Sequence, residues 1–70
     1  MSGTEDGNEA MVNYLQGEIR TERKKLQRLR QALSDATRQA DTAERNKLVK
    51  AIQRCETRIK AREDSIAKYQ

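Results

Sequence analysis

From Met11 onward the apolar residues recur in alternating steps of three and four. Val12, Leu15, Ile19, Leu26, Leu29, Leu33, Ala36, Ala40 and Ala43 keep this rhythm, with Glu22 as its one polar member. Such spacing is the a/d pattern of a helix that packs along a narrow seam. The seam shrinks from leucine to alanine after Leu33, so a partner backbone can approach more closely there. A second seam runs through Leu48, Ile52, Cys55, Ile59, Ile66 and Tyr69, and again holds one charged member, Arg62.

The two seams are out of step. Ala43 to Leu48 is a gap of five, which neither three nor four matches, so the register breaks between Thr37 and Lys47. Within that window Asp41-Thr42-Ala43-Glu44 has the form of a capping box. An Asp or Thr side chain there accepts from a free backbone N–H, and the Glu reaches back. The pattern predicts a turn at about Gln39 to Thr42, with helix one over about 11–39 and helix two over about 42–69. The rival is one bent helix, roughly 85 Å long at 1.5 Å per residue.

Folding the chain about residue 42 favours the hairpin. Leu15 then meets Tyr69, Ile19 meets Ile66, Leu26 meets Ile59 and Leu29 meets Cys55. Leu33 meets Ile52, and Ala36 meets Leu48. Glu22 falls level with Arg62, so the two polar exceptions are expected to pair and to fix register at some cost in stability. The expected fold class is all-α: an antiparallel two-helix coiled-coil hairpin over residues 11–70. Residues 1–10, with two glycines, three acids and little that is apolar, read as a disordered acidic leader.

Composition narrows the function. The chain has 70 residues, 37% of them charged, and only two aromatics, both tyrosine. A domain of this size buries too little surface to be robust alone, which points to partner chains. There is no histidine and no proline, and the one cysteine, Cys55, lies on the apolar seam. A lone thiol without a base is no activated nucleophile, and it reads as a small buried hydrophobe in a reducing compartment. No Cys/His metal set, Gly-rich phosphate loop or pair of enclosed carboxylates is present. Enzymatic activity, a cofactor and a small-molecule substrate are therefore not expected. The chain holds no apolar run long enough to span a membrane, and its acidic start is unlike a secretory signal.

Charge is unevenly spread. Residues 1–10 carry Glu5, Asp6 and Glu9 with no base, which leaves fifteen Lys/Arg against eight Asp/Glu in the remainder. Arg20, Lys24 and Arg28 form one helical stripe, accompanied by Arg23, Lys25 and Arg30. Lys47, Lys50, Arg54 and Arg58 form another on helix two. Contact with nucleic-acid phosphates is one reading of these bases. A solvated face softened by Glu18, Glu22, Glu44 and Glu56 is the other. No aromatic residue interleaves with the bases, so any RNA contact is expected to be electrostatic and poorly selective for sequence.

The first helix resembles the amino-terminal coiled-coil domain of hantavirus nucleoproteins. Leu15-Gln16, Glu18-Ile19, Leu26, Arg30-Gln31, Asp35-Ala36 and Gln39 carry the likeness, joined at the turn by Asp41, Glu44, Asn46 and Lys47. Thr42 stands where the family often has proline, the turn is about two residues shorter, and beyond Lys47 only the apolar rhythm matches. The resemblance implies an antiparallel hairpin at the start of a longer RNA-coating protein, in the host cytoplasm and the virion. It implies self-association of nucleoprotein subunits, with trimers among the family's states, and genomic RNA as a further partner. The seam residues Leu15, Ile19, Glu22, Leu26, Leu29, Leu33, Leu48, Ile52, Cys55, Ile59, Arg62 and Ile66 then serve association, and the basic stripes approach RNA. Arg23-Lys24-Lys25-Leu26 also resembles the oligomerisation segment of hepatitis delta-type antigens, a second basic antiparallel coiled coil. The alternative function is a stand-alone helical nucleic-acid-binding or regulatory protein of a phage or bacterium. The seam still runs at Tyr69-Gln70, which favours a piece of something larger.

Overall fold

Helix-favouring residues with no proline produce two long helices and a tight corner. The computed structural model describes residues 3–69, with side chains described from Gly7. Helix α1 spans Gly3–Arg38 and helix α2 spans Thr42–Lys68. They pack side by side and antiparallel in a slender body of 58 × 15 × 12 Å. The fold is an all-α helical hairpin.

The corner takes only Gln39, Ala40 and Asp41. The Asp41 amide donates to the Ala36 carbonyl at 2.9 Å, and the Ala40 amide to the Thr37 carbonyl at 3.1 Å. These two bonds make the Schellman pattern that ends many helices, with Ala40 in the left-handed position usually held by glycine. Asp41 then begins α2, its carboxylate accepting from the Glu44 amide at 3.1 Å. Glu44 does not close the box back onto the corner; it faces Lys47 at 3.9 Å.

Two boundaries differ from those read in the sequence. Ala40 and Ala43, placed on the first seam by spacing, are exposed, because the chain has already turned. Ala36 is the last buried residue of α1. The segment expected to be a disordered leader is helical from Gly3, with residues 1 and 2 outside the described range. Once a helix exists, adding a residue costs little, and acidic composition suits a helix N-terminus. The result is that α1 has nine residues more than α2 and overhangs it by about 13 Å at 1.5 Å per residue.

The core is small. Ile19 and Leu26 from α1 pack with Cys55 and Ile59 from α2, and Leu29, Ile52 and Ile66 lean on this cluster. At the open end Met11, Tyr14 and Tyr69 remain largely exposed, and Val49 does so on α2.

Candidate functional site

The chemistry of this hairpin lies in the charges along its seam. Both helices carry charged residues beside the apolar positions, and the antiparallel arrangement brings them together on two flanks. On one flank α1 supplies the bases: Arg23 meets Glu63 at 2.9 Å, and Arg30 meets Glu56 at 3.0 Å. On the other flank the polarity is reversed. Glu22 accepts two hydrogen bonds from Arg58, at 2.8 and 3.1 Å. Glu18 accepts from Arg62 at 3.0 Å and also from the Tyr14 hydroxyl.

The expected partnership of Glu22 with Arg62 is therefore corrected. Each takes a partner one helical turn away from the other. The cause is stagger: on this flank the helices sit so that Glu22 lies level with Arg58 and Glu18 with Arg62. A link remains between the two pairs, because Arg62 also donates to the Arg58 carbonyl at 3.2 Å.

Cys55 is the most deeply buried side chain and adjoins this charged flank. Its thiol donates to the Glu22 backbone carbonyl at 3.2 Å and lies 3.5 Å from the Glu22 carboxylate. Burial, and then the hydrogen bond to Glu22, push its pKa up, so the thiolate is disfavoured. Folded protein should react with a thiol reagent far more slowly than protein unfolded in guanidinium. Equal rates would mean that the seam opens readily at this level.

Glu22 shifts the opposite way. The hydrogen bond from Arg58 holds its carboxyl below the ordinary range; burial opposes this, while Cys55 and Lys25 assist. A carboxyl with a depressed folded-state pKa contributes stability above its unfolded value and loses it as pH falls through the folded one. The melting temperature should thus drop on acidification through the carboxylate range, more steeply in the wild type than in Glu22→Gln. Parallel pH profiles for the two proteins would remove Glu22 from this role.

The sequence-derived seam residues distribute as follows. Ile19, Leu26, Cys55 and Ile59 are buried, while Leu15, Leu29, Leu33, Leu48, Ile52 and Ile66 are half-buried, as are Glu22 and Arg62. Of the ten bases in the two stripes and beside them, four are tied into ion pairs: Arg23, Arg30, Arg58 and, loosely, Lys47. Arg20, Lys24, Lys25, Arg28, Lys50 and Arg54 are exposed, with no ion pair among the described residues. Lys50, Arg54 and Arg58 line one shallow groove on α2 together with Gln53 and Thr57.

Three acids escaped the sequence reading as partners: Glu18, Glu56 and Glu63. The signal was available. Arg23 and Arg30 are seven apart, as are Glu56 and Glu63, and all four directly follow seam positions on the same side. Charges beside the seam set helix orientation in coiled coils. Among the described residues no cluster of metal-ligating side chains occurs, and no helix is long and apolar enough to cross a membrane. Comparison of the chain with family models, with curated proteins and with solved structures gives no match.

Proposed function

We propose that this hairpin is the amino-terminal assembly module of a viral nucleoprotein, promoting association of subunits while genomic RNA is encapsidated. The observation that carries the assembly role is the apolar surface left at the open end. There Met11 is 40% exposed, Tyr14 61% and Tyr69 39%, beside a core too small to make a robust solitary domain. Helices with such edges gain stability by packing against further helices.

The RNA role rests on the unpaired bases. Arg20, Lys24 and Arg28 follow one another on the outer face of α1, and no acid lies between Glu22 and Asp35 in the sequence around Lys24, Lys25 and Arg28. Neutralised phosphates release counterions, so binding of this kind weakens steeply with salt. The viral setting comes from the resemblance of the first helix and corner to hantavirus nucleoproteins.

Sedimentation equilibrium and titration with a labelled single-stranded RNA test both parts. Oligomers are expected to accumulate as the concentration rises towards about 1 mM, the weak end of specific association. RNA affinity is expected to fall by roughly tenfold or more between low and physiological salt, as a few phosphate contacts require. A strictly monomeric chain that binds no RNA at low salt overturns the proposal.

A further inference from the structure

The corner between the helices is strained at its middle residue. Ala40 stands at φ 56°. In that left-handed region the Cβ of an L residue crowds the following carbonyl oxygen, and glycine usually takes this position. Strain persists where the surroundings over-determine it, and here they do little. Every residue from Thr37 to Ala43 is exposed. The corner is held by turn hydrogen bonds and by the Asp41 cap. No glycine follows Gly17 and the chain has no proline, so the same stretch can run on as helix.

The contacts that hold the hairpin closed are indifferent to which chain supplies α2. The buried cluster takes Ile19 and Leu26 from α1 and Cys55 and Ile59 from α2. All four ion pairs on the flanks likewise run from α1 to α2. We infer that the chain dimerises by exchanging helices. The corner straightens, α1 of one copy packs on α2 of a second, and two continuous helices run antiparallel about a two-fold axis near Ala40. This rests on the self-association reading and names its partner, a second copy, and its interface, the seam itself.

The exchange loses little. Each seam contact and each ion pair forms twice in the dimer, two strained alanines relax, and helical hydrogen bonds replace the two Asp41 caps. Short connections under strain favour such exchange. Against it stands the lost independent motion of two molecules, so the dimer grows with protein concentration. Its rod is roughly 100 Å long at 1.5 Å per residue, compared with 58 Å for the hairpin.

Distances within one chain test the inference. Nitroxides are attached to the exposed residues Gln27 and Lys60 by a ligation that spares Cys55, and labelled chains are diluted into an excess of unlabelled ones. The mixture is refolded at high concentration and separated by size. In the hairpin the labels sit across the seam, within about 20 Å given helix axes 8–10 Å apart. In an exchanged dimer they lie on one continuous helix, about 50 Å apart. The dimer fraction is expected to show the long distance and the monomer the short one.

Two variants sharpen the result. Ala40→Gly relieves the corner and weakens a helix running through it, while Thr42→Pro suits the first residue of α2 and breaks a continuous helix. Each is expected to raise the dimer dissociation constant by on the order of a hundredfold or more, with the monomer's melting temperature maintained. A dimer that keeps the short within-chain distance, or one unaffected by Ala40→Gly, overturns exchange and leaves self-association standing. A wild-type chain that yields no dimer overturns both.

Discussion

Ile59→Ala is expected to unfold a large part of the population at room temperature, and Leu26→Ala nearly as much. Each side chain is only 8% exposed, and together with Ile19 and Cys55 they make the whole buried cluster. Removing buried methylenes from Leu or Ile typically costs about 2–5 kcal/mol, through lost transfer energy and the cavity left behind. A domain below about 80 residues rarely has more than 3–5 kcal/mol in total from one core. One such substitution therefore consumes most of the stability. Leu29→Ala and Ile52→Ala, half-buried at the edge of the cluster, should cost less. Val49→Ala, on an exposed face of α2, should change stability by no more than about 0.5 kcal/mol. Helicity followed through thermal and urea unfolding measures all five. A Val49→Ala effect as large as that of Ile59→Ala would mean that α2 presents a different face to α1.

The seam and the corner were legible because both depend on local rules. Steps of three and four identify a face whichever helix lies opposite, and an Asp three residues before a Glu marks a helix start regardless of the rest of the chain. The exact partner of each charge depends on how the helices sit against one another, which spacing alone leaves open. Folding the sequence about one residue treats the hairpin as flat and gives every pair nearly the same index total, 84 or 85. In the structure the totals are 80 for both ion pairs of one flank and 86 for both pairs of the other. A single mirror point between those values put Glu22 opposite Arg62. The left-handed residue inside the corner was hidden for another reason. Ala40 breaks the usual glycine preference, so nothing in its identity announced a left-handed residue. The helical overhang before Met11 was missed because polar composition was taken as disorder, although a helix already nucleated downstream extends cheaply.

Glu22 and Arg58 should prove energetically coupled, and more strongly than Glu22 and Arg62. The Glu22 side chain is 15% exposed and that of Arg58 38%, and two hydrogen bonds join them. Exposed ion pairs contribute about 0–1 kcal/mol, and a bidentate pair with one half-buried member should lie above the middle of that range. Glu22→Arg should be the more damaging of the two reversals, because it places a third cation beside Arg58 and Lys25 at a level partly closed to water. Arg58→Glu should be milder, since the more exposed partner can turn away into solvent. Combining the two reversals restores an opposite-charge pair and should recover part of the loss. Added salt should weaken the coupling only modestly, because a half-buried pair is screened less than a surface one. Acidification should abolish it as Glu22 protonates, which separates its electrostatic part from packing lost with the side chains. Double-mutant cycles on Glu22 with Arg58 and on Glu22 with Arg62, each by urea unfolding at neutral and acidic pH, decide the matter. The register set by these flanks is wrong if the Arg62 cycle gives the larger coupling. If both cycles are additive, the charges beside the seam do not specify register, and the apolar steps alone must align the helices.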